Sequence, residues 1–142
     1  MTTPPLPPRK YRSRGRMVLA VVFVLLASSA WWQVINDFID RSNEPPILTG
    51  LQAIIGVLAA AAAWGTWIGA RWAPLYALLY GVTAGGMVAS LGRMLDLPAE
   101  SRNGLWFGGA IILGFGLLSA WWLRRSLLRE RARETSHIVG FD

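Results

Sequence analysis

Cysteine is absent from the 142 residues, and histidine occurs once, at position 137. The first absence excludes disulfides, thiolate zinc sites, iron–sulfur clusters and thiol nucleophiles within this chain. The second excludes a two-histidine haem or metal pair. Charge is also scarce: 15% of residues are charged and 54% are hydrophobic, too apolar a balance for an ordinary water-soluble domain. The net charge of +6 and pI near 11.1 point to nucleic acid only if basic residues spread over a folded surface. Here they are concentrated at the two ends.

The charges divide the chain. Between Arg16 and Asp37 lie 20 uncharged residues, between Glu44 and Arg71 26, between Arg71 and Arg93 21, and between Arg102 and Arg124 21. About 20 residues at 1.5 Å rise cross roughly 30 Å of hydrocarbon. The sequence therefore predicts an all-α membrane protein with four transmembrane helices near 17–35, 47–70, 74–92 and 104–123, flanked by a basic Pro-rich arm (1–16) and a basic tail (124–142). Every proline (4, 5, 7, 8, 45, 46, 74 and 98) falls in the arm, in a loop or in a first helical turn, where a missing N–H costs nothing. Loops of about ten residues or fewer favour an up-down-up-down antiparallel bundle.

Lysine and arginine set the orientation, because basic residues are retained on the cytoplasmic side. The arm (Arg9, Lys10, Arg12, Arg14, Arg16), Arg71 and the tail (Arg124, Arg125, Arg129, Arg131, Arg133) share one side, and Arg41, Arg93 and Arg102 the other. Both termini are expected in the cytoplasm. Tryptophan, which prefers the headgroup level, fits two belts, with Trp31, Trp32 and Trp106 outside and Trp64, Trp67, Trp72, Trp121 and Trp122 inside. The basic leader, apolar run and small residues Ala27–Ala30 resemble a signal peptide; the expectation taken is an uncleaved first helix. The prolines of the arm suit extended polyproline II or disorder.

No Asp, Glu, Lys, Arg or His lies within the four spans, which argues against a pump or proton-coupled exporter, and unbroken helices remove the half-helix termini many transporters use. There is no nucleotide-binding glycine loop, no H-E-x-x-H and no serine with a nearby histidine base. We therefore expect no enzyme activity, cofactor, metal or nucleic-acid partner. A channel or transporter ranks third among the functional readings.

Small residues give the strongest positive signal. Gly65 and Gly69, Gly81 and Gly85, and Gly104 and Gly108 are each four apart, placing two glycines on one helix face for close packing or a partner. The run Ala59–Ala63 makes the second helix slim, either for packing on several sides or to leave a groove for an apolar ligand. Gln33, Asn36, Thr49, Gln52 and Ser90 all fall near the outer boundary. They form a candidate polar pocket for a quinone, lipid headgroup or partner loop, or else bond one another across helices. Arg9, Lys10, Arg12, Arg14, Arg16, Arg124, Arg125 and Arg129 are candidate contacts for anionic lipid, each contributing about 1 kcal/mol near an anionic leaflet. Residues 124–134 contain good helix formers and no breaker, so the fourth helix is expected to run on into the cytoplasm.

Thirteen arginines against one lysine, with abundant Ala, Gly and Pro, suggest a GC-rich bacterial genome and an inner-membrane location. The leading expectation is an accessory, assembly or scaffold subunit of a larger membrane complex, with other membrane-protein subunits or further copies of the chain as partners. The alternative is a binder of an apolar small molecule such as a lipid, quinone, carotenoid or other pigment.

Overall fold

A computed structural model describes residues 13–39 and 46–139, with side chains as far as Ala132. Arg9, Lys10, Arg12, the rest of the Pro-rich arm and Arg41 lie outside the described residues, and the side chains of Arg133 and His137 lie outside the described side chains. Four helices account for nearly all of it: α1 (Arg14–Ile39), α2 (Pro46–Ile68), α3 (Ala73–Met94) and α4 (Ala99–Val139). Each is long and apolar enough to cross a membrane, and the described residues contain no strand.

The elements follow from local chemistry. Pro46 opens α2 and Pro74 occupies the first turn of α3, positions whose N–H has no helical partner. At the end of α2, Gly69 turns left-handed (φ 71°) and the Ala70 N–H donates to the Gly65 carbonyl at 2.8 Å, the six-residue return that closes many helices. The end of α3 is built likewise, with Asp96 at φ 48° and the Leu97 N–H donating to the Gly92 carbonyl at 3.1 Å. Asp is one of the few side chains that tolerates this region.

Three of the four described helices, α1, α3 and α4, outrun the charge-free segments. α1 starts at Arg14 rather than at Met17 and α4 at Ala99 rather than at Gly104, continuing unbroken to Val139. Charged good helix formers such as Arg and Glu do not end a helix where hydrocarbon gives way to headgroups.

Size is sorted inside out. The core is lined by alanines, among them Ala27, Ala59, Ala62, Ala73, Ala77 and Ala84, while Val21, Leu25, Phe38, Phe107 and Leu118 are exposed. Lipid removes the hydrophobic drive between helices, so close backbone approach between small residues holds the bundle and bulky side chains face outward. Phe23 is one of a few large side chains among these alanines. It is fully buried, with ring centroids 5.7 Å from Tyr80 of α3, edge-on, and 5.7 Å from Phe115 of α4. α1 packs on α2, α2 on α3 and α3 on α4, and the Phe23 ring joins the first helix to the last two.

Candidate functional site

The tightest approach is between α3 and α4. A Cβ on Gly81 would lie 2.7 Å from the Gly116 Cα, and one on Gly85 2.7 Å from the Gly109 carbonyl oxygen. Backbone therefore lies on backbone, where weak Cα–H contacts become possible. The α4 half of this seam is made by Gly109 and Gly116, not by Gly104 and Gly108. A Cβ on Gly108 would reach only Val88 at 3.7 Å, and one on Gly104 would meet nothing. Seven-residue spacing was the missed signal: Gly109, Gly116 and Leu123 recur at that interval, and all three are buried. On α2, Gly65 seats the ring of Trp72 and Gly69 seats the guanidinium of Arg16.

That guanidinium organises one end of the bundle. Arg16 is 7% exposed. Its Nε donates to the Thr66 carbonyl at 3.3 Å and its Nη1 to Glu130 Oε2 at 2.5 Å. Glycine suits residue 69 because of its left-handed φ, and a Cβ there, 2.7 Å from Nη2, would also make the guanidinium shift. Burying a charge is costly. The cost is offset by the carboxylate and by the carbonyl-rich, negative end of the α2 dipole. Arg16 was expected to face anionic lipid; it is instead consumed internally, linking α1, α2 and α4. Neither Thr66 nor Glu130 stands out in the sequence, because their role depends on a cation far away in the chain. Arg14, Arg124, Arg125 and Arg129 are exposed, and Arg125 lies over the Trp121 ring at 5.3 Å.

Among the described residues no hydrogen bond joins the five polar residues expected to form a pocket to one another. Gln33 is exposed and Asn36 half-buried. Thr49 donates to Asp37 Oδ2 at 3.4 Å, which links α2 to α1. Ser90 turns back to the Met87 carbonyl at 2.9 Å. Gln52 Oε1 is buried with no hydrogen-bond partner among the described residues. At the same end of the bundle, Arg93 stacks over Trp106 at 5.5 Å, an interfacial cation–π contact. No three His, Cys, Asp or Glu side chains converge among the described residues.

A groove of about 580 Å³ lies between α1 and α2. The buried Ala20, Ala27 and Ala63 line its depth, and the exposed Val24 and Trp64 its edges. Ser28 also lines it, but its hydroxyl donates to the Val24 carbonyl at 2.9 Å, which leaves the surface essentially apolar. Trp31 ends the groove, its Nε1 lying 3.0 Å from where a Cβ on Gly56 would stand. The alanine run of α2 thus serves both uses open to it, with Ala59, Ala62 and Ala63 in the core and Ala60 exposed in the groove. None of the five polar residues lines this groove. Its lining of alanine, valine, serine and tryptophan can hold hydrocarbon.

Comparison of the chain with protein-family models, with curated proteins and with solved structures finds no match.

Proposed function

We propose that this chain is a non-enzymatic accessory, assembly or scaffold subunit of a larger complex in a bacterial inner membrane. In this reading the four helices cross up-down-up-down as an antiparallel bundle with both termini in the cytoplasm. The observation that carries it is the length and anchoring of α4. Its 41 residues extend about 60 Å at 1.5 Å per residue, twice the roughly 30 Å of hydrocarbon. The surplus carries Arg124, Arg125, Arg129 and Arg131 and is tied to α1 through Glu130 and Arg16. A charged helix held rigidly beyond the bilayer presents a fixed surface to a partner at little entropic cost.

The outward faces add support. Gly86, Gly104 and Gly114 have nothing within 4 Å of a Cβ position, so a neighbouring transmembrane helix could approach closely there. Extraction from native membranes in a mild detergent tests the proposal, by particle mass and by mass spectrometry of co-purifying proteins. A stoichiometric partner in a large particle is the expected result. Recovery as a lone 15.6 kDa chain or as a small homo-oligomer would overturn it.

A second reading, a binder of an apolar small molecule, is favoured by the α1–α2 groove. It moves the ligand away from the Gln33, Gln52 and Ser90 region to the alanine-lined face. A chromophore or co-extracted lipid on the lone chain would support it.

A further inference from the structure

We propose that the α1–α2 groove is a phospholipid site for an anionic lipid, holding one acyl chain between the helices and the phosphate at Arg14. The groove is apolar, lies open on the outer surface of the helix pair, and has Trp31 at one end of its lining. From Ala20 to Trp31 it runs about 16 Å along α1 at 1.5 Å per residue, close to half of the roughly 30 Å hydrocarbon thickness. One leaflet's acyl chain is the occupant of that length. A partner helix would need a path across the whole bilayer, whereas the lining of this groove ends at Trp31, whose ring packs on Gly56.

The other end leads to charge. Trp31, Ser28, Val24, Val21, Met17 and Arg14 follow one another at spacings of three or four, so Arg14 lies on the groove face of α1, below its apolar part. Arg14 is exposed, and among the described residues no carboxylate forms an ion pair with it. Its neighbour Arg16, by contrast, is buried and bonded to Glu130 and Thr66. The buried arginine therefore holds the helices in place and leaves Arg14 for a phosphate. Arg71, exposed in the turn after α2, adds a second cation at this end of the two helices. An anionic headgroup is thus favoured over a zwitterionic one by long-range charge as well as by contact.

The purified full chain, in micelles containing equal amounts of chain-matched phosphatidylglycerol and phosphatidylcholine, tests the site by native mass spectrometry. The wild type is expected to retain one phosphatidylglycerol per chain in preference to phosphatidylcholine. Arg14→Gln should lower that preference about fivefold, the loss of one near-surface cation, while still retaining a lipid. Ala60→Phe and Val24→Trp, which fill the groove from exposed positions on its two helices, should both lose the retained lipid with helical circular dichroism unchanged. Equal retention of the two lipids by the wild type would overturn the proposal. So would an unchanged preference in Arg14→Gln, undiminished retention in either filled variant, or a dimer that carries no lipid. The assay uses the chain alone, so its outcome is independent of whether a partner subunit exists.

Discussion

Arg16 and Glu130 are 114 residues apart in sequence and 2.5 Å apart in space, and their contact fixes the start of the first helix to the extension of the last. Removing either charge strands the other. Because Glu130 keeps 34% of its side-chain exposure, Arg16→Met should cost about 1–3 kcal/mol, less than for a fully buried pair. A double-mutant cycle with Glu130→Met should show coupling of about 1–2 kcal/mol. Unfolding in mixed micelles of rising dodecyl sulfate content measures both. Additive effects would show that the pair does not stabilise the fold.

Gly69 should be intolerant in a way that depends on Arg16. Gly69→Ala forces a Cβ into the left-handed region, at a cost of roughly 1–2 kcal/mol, and pushes it against the guanidinium, 2.7 Å away. In an Arg16→Ala background the second contribution disappears. The same unfolding assay should therefore show a smaller penalty for Gly69→Ala there than in the wild type.

The glycines of α3 and α4 divide into two classes. Gly85→Ile and Gly116→Val drive side chains into facing backbone and should abolish folding of the isolated chain. Gly104→Ile meets open space and should leave the melting temperature within a few degrees of wild type. A substitution at Gly85 thus reports on folding, and Gly104 or Gly114 is the place to probe association with a partner. Thermal unfolding in detergent, followed by circular dichroism, distinguishes the two classes.

Phe23 is a fully buried ring in a core otherwise rich in alanine. Phe23→Ala leaves a cavity facing Tyr80 and Phe115 and should destabilise by about 3–5 kcal/mol. Phe23→Leu should cost less than half of that. Equal losses for the two variants would show that ring contacts, and not filled volume, hold the centre.

The spans were legible because the property that makes them, absence of charge over about 20 residues, is local and additive along the chain. What escaped depends on azimuth and on distant partners. Gln33 and Ser90 were placed at a common depth, but depth does not say which side of a helix faces its neighbours. Gly104 and Gly109 are equally small, and only the facing Gly85 backbone decides which one packs. Arg16 reads as one more basic residue of the leader until the left-handed turn at Gly69 and the carboxylate of Glu130 are brought to it. The groove was half visible in the Ala59–Ala63 run, while its other side, on α1, uses Ala20 and Ala27 at ordinary helical spacing.

The orientation of the bundle underlies both the docking and the lipid proposals, and the absence of native cysteine makes it directly measurable. Ser101→Cys and Leu128→Cys place single thiols at exposed positions near opposite ends of the membrane-crossing part of α4. In intact cells a membrane-impermeant maleimide should label Ser101→Cys at once and Leu128→Cys only after permeabilisation. Labelling of Leu128→Cys from outside, or of both sites from the same side, would contradict the account.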